Sequence, residues 1–169
     1  MTPAAKVHST GEMEWPVWKP TIRATLCFVV RRGEVLLIRK KRGLGAGKIN
    51  GPGGKIDPGE TAMESAVRET FEELCVTPLE VREAGELFFE FRDGMRLYGV
   101  VFIASDIDGT AQETAEAVPL WTPLDQIPYD EMWADDRHWL PIALRGERFR
   151  ACFEFDGDVL RRRRVEVVG

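Results

Sequence analysis

The sequence predicts an α+β fold on three observations: β-patterned apolar runs stand on both sides of one well-capped helix, a second helix begins late in the chain, and turn signals separate the runs. In chain order, residues 1–20 hold Pro3, Pro16 and Pro20 among mixed polar residues with no period. They read as an extension outside the core, in which Trp15 and Trp18 pack locally. From Thr21 the pattern turns to β: TIRATLCFVV, a turn at Arg32-Gly33 and then EVLLIRK form a hairpin. The segment from Lys40 to Gly54 is basic and glycine-rich. Its GLGAGK falls short of a P-loop, because Gly43 to Gly47 encloses only three residues and Ile49 stands where Ser or Thr is needed. Lys40, Lys41 and Arg42 fit either a phosphate entrance or an ordinary solvated charge run.

The next twenty residues, GKIDPGETAMESAVRETFEE from Gly54 to Glu73, carry the most chemistry. Pro58-Gly59 is a turn, and Thr61 with Glu64 makes a capping box in which hydroxyl and carboxylate satisfy free N–H groups of the first turn. The helix then runs to about Leu74. Glu69, Glu72 and Glu73 stand at i, i+3 and i+4 on one stripe, where like charges repel by roughly a few tenths of a kcal/mol per pair. A solvated acidic face is the ordinary outcome of such a cluster. A hard divalent cation, Mg²⁺ with Mn²⁺ as a substitute, is the other: it takes oxygen ligands and prefers carboxylates together with substrate phosphates.

Beyond the helix, EVREAGELFFEF and RLYGVVFIAS are two β runs joined through Arg92-Asp93-Gly94-Met95. Residues 106–134 read as loop-rich, with Pro119, Pro123 and Pro128 around a short apolar piece at Leu120-Trp121. A helix begins near Asp135-Asp136 and runs toward Leu144, with Pro141 tolerated near its first turns. FRACFEF alternates, Asp156-Gly157 turns the chain, and VLRRRRVEVV returns as a last strand. Alternation splits Arg161 to Arg164 between two faces, which makes them a solvated edge and not a nucleic-acid patch. No repeat or linker divides residues 21–169, which form one domain.

Composition narrows the chemistry by elimination. The chain has 169 residues, 44% hydrophobic and 30% charged, enough for one core. No apolar stretch is long enough for a membrane span and no secretory h-region opens the chain. Cys27, Cys75 and Cys152 are scattered, as expected of reduced thiols in the cytoplasm. A net charge of −5 argues against a general nucleic-acid binder. Only two histidines occur, His8 and His138, so a His-rich zinc site is absent, and none of Ser9, Ser65 and Ser105 lies in a nucleophile-elbow context. Carboxylates and metal remain the best-supplied chemistry.

Spacing then separates this acidic helix from an ordinary one. Gly54, five residues, Glu60, seven residues, Arg68-Glu69, two residues and Glu72-Glu73 resemble the Nudix box element by element. The resemblance implies an α/β/α sandwich around a mixed sheet and a hydrolase of nucleoside diphosphate derivatives. Divalent metal would be held by Glu69, Glu72 and Glu73, with Gly54 and Glu116 contributing and with Arg68 and Glu60 orienting the helix glutamates. Glu72 and Glu73 would be the central ligands. Thr70 stands where an aliphatic residue is usual, and Cys75 replaces the glycine that closes the helix. A side chain at a left-handed closing position costs roughly 1 kcal/mol, so a different turn is expected there.

KKRGLGAGKINGPGGK and LDQIPYDEMWADDRHWLP followed by FRACFEFDG are further similar to the oxidised-purine (8-oxo-dGTP) diphosphatase branch of that family, related to MutT. The resemblance implies that Asn50, Asp135 and Asp136 bind the purine edge, that Trp133 stacks on its face and that Lys40 lies near the phosphates. It puts Thr25, Phe89 and Glu116 along the pocket or near the metal. Leu44 replaces an aromatic residue and Ile49 a tryptophan. Two adjacent carboxylates in a dry pocket hold one proton between them and so present both a donor and an acceptor. The competing reading is that Asp135 and Asp136 merely complement a helix N-terminus. The implied reaction is water attack on the α-phosphorus of a modified purine nucleoside triphosphate, with one glutamate of Glu69, Glu72, Glu73 and Glu116 taking the proton. The expected partner is a small nucleotide, without nucleic acid or membrane, and the expected state a monomer. Other Nudix substrates (ADP-ribose, dinucleoside polyphosphates, RNA caps) and a catalytically silent nucleotide sensor are the alternatives.

Overall fold

The computed structural model describes residues 13–169. In chain order the strands are β1 (Ile22–Arg31), β2 (Glu34–Lys40), β3 (Ile49–Asn50), β4 (Gly53–Lys55), β5 (Thr77–Leu79), β6 (Arg82–Phe91), β7 (Arg96–Ala104), β8 (Asp106–Asp108), β9 (Ala117–Pro123), β10 (Arg148–Asp156) and β11 (Val159–Val168). Helix α1 (Ala62–Leu74) follows β4, and a 3₁₀ turn (Tyr129–Glu131) and helix α2 (Asp136–Leu144) precede β10. The first hairpin closes because Arg32 and Gly33 both take positive φ, 54° and 76°, the two-residue geometry whose twist matches the flanking strands.

The main sheet has the order β11-β10-β6-β7-β1-β2-β3, with β4 on β1 and β9 on β2. β1 runs parallel to β7 and β10 parallel to β6, while the remaining ladders are antiparallel, so the sheet is mixed. Strand alternation sorts its apolar side chains onto two faces. Cys27, Val29, Leu36, Ile38, Val100 and Phe102 form one cluster with Ala66 and Leu74 of α1. Phe28, Leu37, Leu87, Val101 and Phe149 form the other with Trp139 and Leu140 of α2. The result is the expected α+β sandwich, with one helix on each side.

Four findings differ from the sequence reading. The 106–134 stretch contains β9, a seven-residue strand that holds both Pro119 and Pro123. It has β2 alone as its neighbour, and an edge strand tolerates proline because half of its N–H groups need no partner. Cys75 closes α1 in the left-handed conformation after all, at φ 63°, its N–H donating to the Phe71 carbonyl. The end of that helix is held from outside: Gln112 N–H donates to Leu74 O at 2.9 Å and the Thr114 hydroxyl to Glu73 O at 2.8 Å. Pro141 lies in the middle of α2, beyond its first turn, so the Arg137 carbonyl lacks its helical donor. Finally, residues 13–20 of the expected extension lie against the sheet. Met13 is only 2% exposed, Trp15 sits under the guanidinium groups of Arg150 and Arg164, and Trp18 meets Phe88 edge-on. Residues 1–12 of that extension, His8 among them, lie outside the described residues.

The arginine run behaves as alternation requires: Arg162 pairs with Glu154 and Arg164 with Glu166 at the sheet edge. Cys27, Cys75 and Cys152 are free thiols. Among the described residues no helix is long and apolar enough to cross a membrane.

Candidate active site

The carboxylate wall is built on α1. Its capping box is present in both directions, Thr61 Oγ1 accepting from Glu64 N–H and Glu64 Oε1 accepting from Thr61 N–H. One turn later Arg68 organises its surroundings. Its Nε and Nη2 donate to the two oxygens of Glu60 at 2.6 and 2.9 Å, a bidentate pair. Nη1 donates to Glu69 at 2.9 Å and Glu72 at 3.3 Å, and Nη2 also reaches the Lys55 carbonyl. The guanidinium beside Glu60 holds that carboxyl down at about 2.

Glu73 points inward and is 4% exposed. Its Oε1 accepts the Gly53 N–H at 2.9 Å. Burial pushes its carboxyl up to about 7, opposed by the Gly53 N–H and by Lys40, and reinforced by the charges of Glu69 and Glu116. Burial likewise raises Glu69. Gly54 is glycine for a steric reason, since a Cβ there would run into the Glu69 carboxylate. Glu116 approaches from the loop before β9 and pairs with Arg42 at 2.6 Å. The charges of Glu72 and Glu116 both reach Glu69, while Arg68 holds Glu69 and Glu72, the Gly53 N–H holds Glu73 and Arg42 holds Glu116. Among the described residues no three acidic, histidine or cysteine side chains converge on one point as they stand. The donor set still suits a hard divalent cation. It consists of oxygen only, from carboxylates and the Gly54 backbone, which is the donor type such an ion takes.

Beside this wall opens a cavity of about 450 Å³. None of the four glutamates borders it; Gly53, Gly54 and Lys40 stand between. Thr25, Lys40, Asn50, Phe89, Trp133, Asp135 and Asp136 all border it, so every base-site residue expected from the sequence is brought to one place. Asn50 Oδ1 is taken by the Gly51 N–H at 2.8 Å, which leaves its amide N–H groups to donate. The Thr25 hydroxyl is engaged by Ser65 Oγ at 3.2 Å. Phe89 stacks on Phe153, centroids 5.7 Å apart. Trp133 is held edge-on by Phe91 and Phe155, with Lys48 Nζ over its ring. Gly45 keeps the loop tight against it, for a Cβ there would lie 2.7 Å from Trp133 Nε1. Leu44 borders the cavity and is half exposed, whereas Ile49 turns into the core.

Asp135 and Asp136 are 2% and 3% exposed. Asp135 makes no side-chain cap on α2; its Oδ2 instead accepts the Trp139 indole N–H at 2.7 Å. Capping is therefore not its role. Burial raises both carboxyls, and Asp136, which also faces the charge of Asp135, lies well above the usual carboxylate range. Asp136 Oδ2 has no donor from the protein. Two adjacent carboxyls raised in this way are placed to hold one proton between them.

Sequence reasoning missed Gly53 and Ser65, which contact Glu73 and Thr25, and it weighed Arg42 only as a phosphate entrance or solvated charge and not as the partner of Glu116. Only the loop around Gly53 carried a signal, its glycines marking close backbone approach.

Known proteins resemble this chain in sequence and in fold. Residues 20–142 match the NUDIX domain family model. The chain is 42% identical over 146 residues to the oxidized purine nucleoside triphosphate hydrolase of Danio rerio, spanning 85% of this chain and 94% of that protein. To the protein of the same description from Mus musculus it is 41% identical over 132 residues, 78% of this chain and 85% of that one. Among solved structures, the mutator MutT protein of Bacillus halodurans superposes with a TM-score of 0.77 at 27% identity, covering 86% of this chain and 97% of that chain. This chain belongs to the Nudix family and is a Nudix hydrolase.

Proposed function

We infer that this chain hydrolyses oxidised or otherwise modified purine nucleoside triphosphates to the monophosphate and pyrophosphate, and so clears damaged nucleotides from the precursor pool. One observation carries the reading: a cavity with an aromatic wall and a buried, incompletely satisfied Asp135-Asp136 pair adjoins, through Gly53 and Gly54, a wall of four glutamates. The printed descriptions of the Danio rerio and Mus musculus relatives support the same substrate class.

Nudix hydrolases use divalent cations, and here Glu69, Glu72 and Glu73, with Glu116 and the Gly54 backbone, would hold Mg²⁺, which supplies neutralisation of phosphate charge and acidification of water. Arg68 keeps Glu69 and Glu72 aimed by donating to both. Lys40, beside Glu73 and the cavity, meets the phosphates. Trp133 covers one face of the base, Asn50 donates to its edge, and the aspartate pair offers one donor and one acceptor. Water forms the new bond to the α-phosphorus, the bond from that phosphorus to the bridging oxygen breaks, and a carboxylate of the glutamate set takes the proton. The reading has the protein act as a monomer in the cytoplasm, and its three free thiols fit a reducing compartment.

The test is a side-by-side measurement of kcat/KM, with pyrophosphate release, on 8-oxo-dGTP, 2-hydroxy-dATP, O6-methyl-dGTP, dGTP and ADP-ribose. The modified purine triphosphates should lead. A preference for ADP-ribose would move the chain to another Nudix activity, and binding without turnover in Mg²⁺ would make it a sensor.

A further inference from the structure

Lys48 closes the GLGAGK segment that fails as a P-loop, and it has no part in the hydrolysis described so far. Backbone bonds fix where it stands. Lys48 N–H donates to Gly45 O at 2.9 Å, Lys40 N–H donates to Lys48 O at 3.0 Å, and Gly47 N–H donates to Lys40 O at 2.8 Å. Arg39 ties the same loop to the 3₁₀ turn just ahead of Trp133, donating to Gly47 O at 3.0 Å and to Glu131 at 2.8 Å. The ammonium is thereby delivered to one place. Lys48 Nζ stands over the Trp133 ring, 5.1 Å from its centroid, and 3.6 Å from Asp158 Oδ2 on the turn between β10 and β11.

Trp133 borders the cavity and Lys48 does not, so the cation lies over the indole outside the space that a base would fill. Phe91 and Phe155 stand nearly perpendicular to the indole, at 78° and 81°, and neither lies flat on it as a base would. Gly45 meets its Nε1 edge. Those neighbours limit how far the ring slides, whereas a charge over its face adds an attraction along the ring normal and holds the plane. The face of an aromatic ring is negative and attracts a cation. Density drawn toward the ammonium leaves the other face less repulsive to the electron-rich face of a purine. Asp158 supplies the anchor that a long, flexible lysine stem lacks.

We propose that Lys48 is a positioning residue for the base: anchored by Asp158, its ammonium backs the indole of Trp133, fixing and polarising that plate so that purine nucleotides bind more tightly although Lys48 does not touch them. The proposal rests on the reading of this cavity as the purine site and adds the group that supports its stacking surface. A lysine that reached the phosphates would behave differently, since its contribution would persist without the indole. A lysine that acts through Trp133 contributes nothing once the indole is gone.

A double-mutant cycle tests it without catalysis: calorimetric titration of 8-oxo-dGMP into the full chain and its Lys48→Met, Lys48→Arg, Trp133→Ala and Lys48→Met/Trp133→Ala variants. Lys48→Met, which keeps the stem and removes the charge, should weaken binding about two- to fivefold. Lys48→Arg should restore it, and in the Trp133→Ala background Lys48→Met should cost nothing further. With 8-oxo-dGTP and Mg²⁺, Lys48→Met should raise KM by a similar factor and leave kcat unchanged. Wild-type affinity in Lys48→Met, an equal loss in Lys48→Arg, or the same loss with and without the indole each overturns the proposal. The arms also separate the two readings. Weaker binding by Trp133→Ala beside unaltered Lys48→Met rejects the positioning role alone, and the full binding pattern without turnover rejects the hydrolase reading alone. Wild-type binding by Trp133→Ala rejects the purine site and the positioning role together.

Discussion

The two ends of this site use the same functional group in opposite ways. On the helix α1 wall, carboxylates are met by cations and N–H groups: Arg68 serves Glu60, Glu69 and Glu72, Gly53 serves Glu73, and Arg42 serves Glu116. At the base end, Asp135 and Asp136 form no ion pair among the described residues; the Trp139 indole N–H, the Asp135 backbone and each other engage them. The first arrangement surrounds its carboxylates with donors, although burial still raises Glu69 and Glu73. The second lets burial raise both carboxyls with little to oppose it.

Breaking the first end has the largest expected effect. Glu72→Gln and Glu73→Gln should each lower kcat by at least about 10²-fold while circular dichroism and melting temperature stay folded-like, because an amide at 73 still accepts from Gly53. Near-normal turnover in both would show that the helix face is only a solvated stripe. At the other end, Trp133→Ala should raise KM some five- to hundredfold, as loss of ~1–3 kcal/mol of base stacking implies, with a much smaller change in kcat. An unchanged KM would return Trp133 to core packing.

Smaller effects sharpen the contrast. Asp135→Asn and Asp136→Asn should reorder 8-oxo-dGTP, 2-hydroxy-dATP and dGTP by roughly tenfold, since an amide fixes donor and acceptor where a shared proton moves. A wild-type ranking kept by both variants at every pH from 6 to 9 would argue against proton sharing. The smallest effect is on stability. Glu73 rises from 4.5 to about 7 on folding, so the folded chain binds more protons than the unfolded one between those values, and metal-free stability should fall as pH rises through that window. Melting in chelator should drop by a few degrees from pH 5 to 8, on the order of 1–3 kcal/mol. Glu73→Gln should flatten that slope, and added divalent cation should oppose it, because the ion requires the deprotonated carboxylates. A slope unchanged by Glu73→Gln would locate the proton uptake elsewhere.

Both ends were visible in the sequence to different degrees. Helix α1, its cap and its three-glutamate stripe are local, because a period and a capping pair lie within one segment, and the first and last hairpins announce themselves by turn residues. Strand β9 was hidden because Pro119 and Pro123 argue against a strand until it is known to be an edge. Strands β3 and β4, of two and three residues, are too short to show a period. At the base end, Trp133, Asp135 and Asp136 were legible only through family resemblance: nothing local says that an Asp-Asp pair at a helix start will be buried without capping it.

The strap formed by Met13, Trp15 and Trp18 has a consequence for how the chain is made. Its partners are Phe88, Arg150, Arg164 and Cys152, whose thiol approaches the Glu14 carbonyl from 138 residues away. On the ribosome these residues emerge well before β10 and β11 and must wait for those partners until that hairpin has been translated. Closure of that flank is then among the most non-local steps in assembly, and slow for that reason. A nascent chain stalled before the β10–β11 hairpin should accordingly be more open to protease and to chaperone capture near its tryptophans than the finished protein.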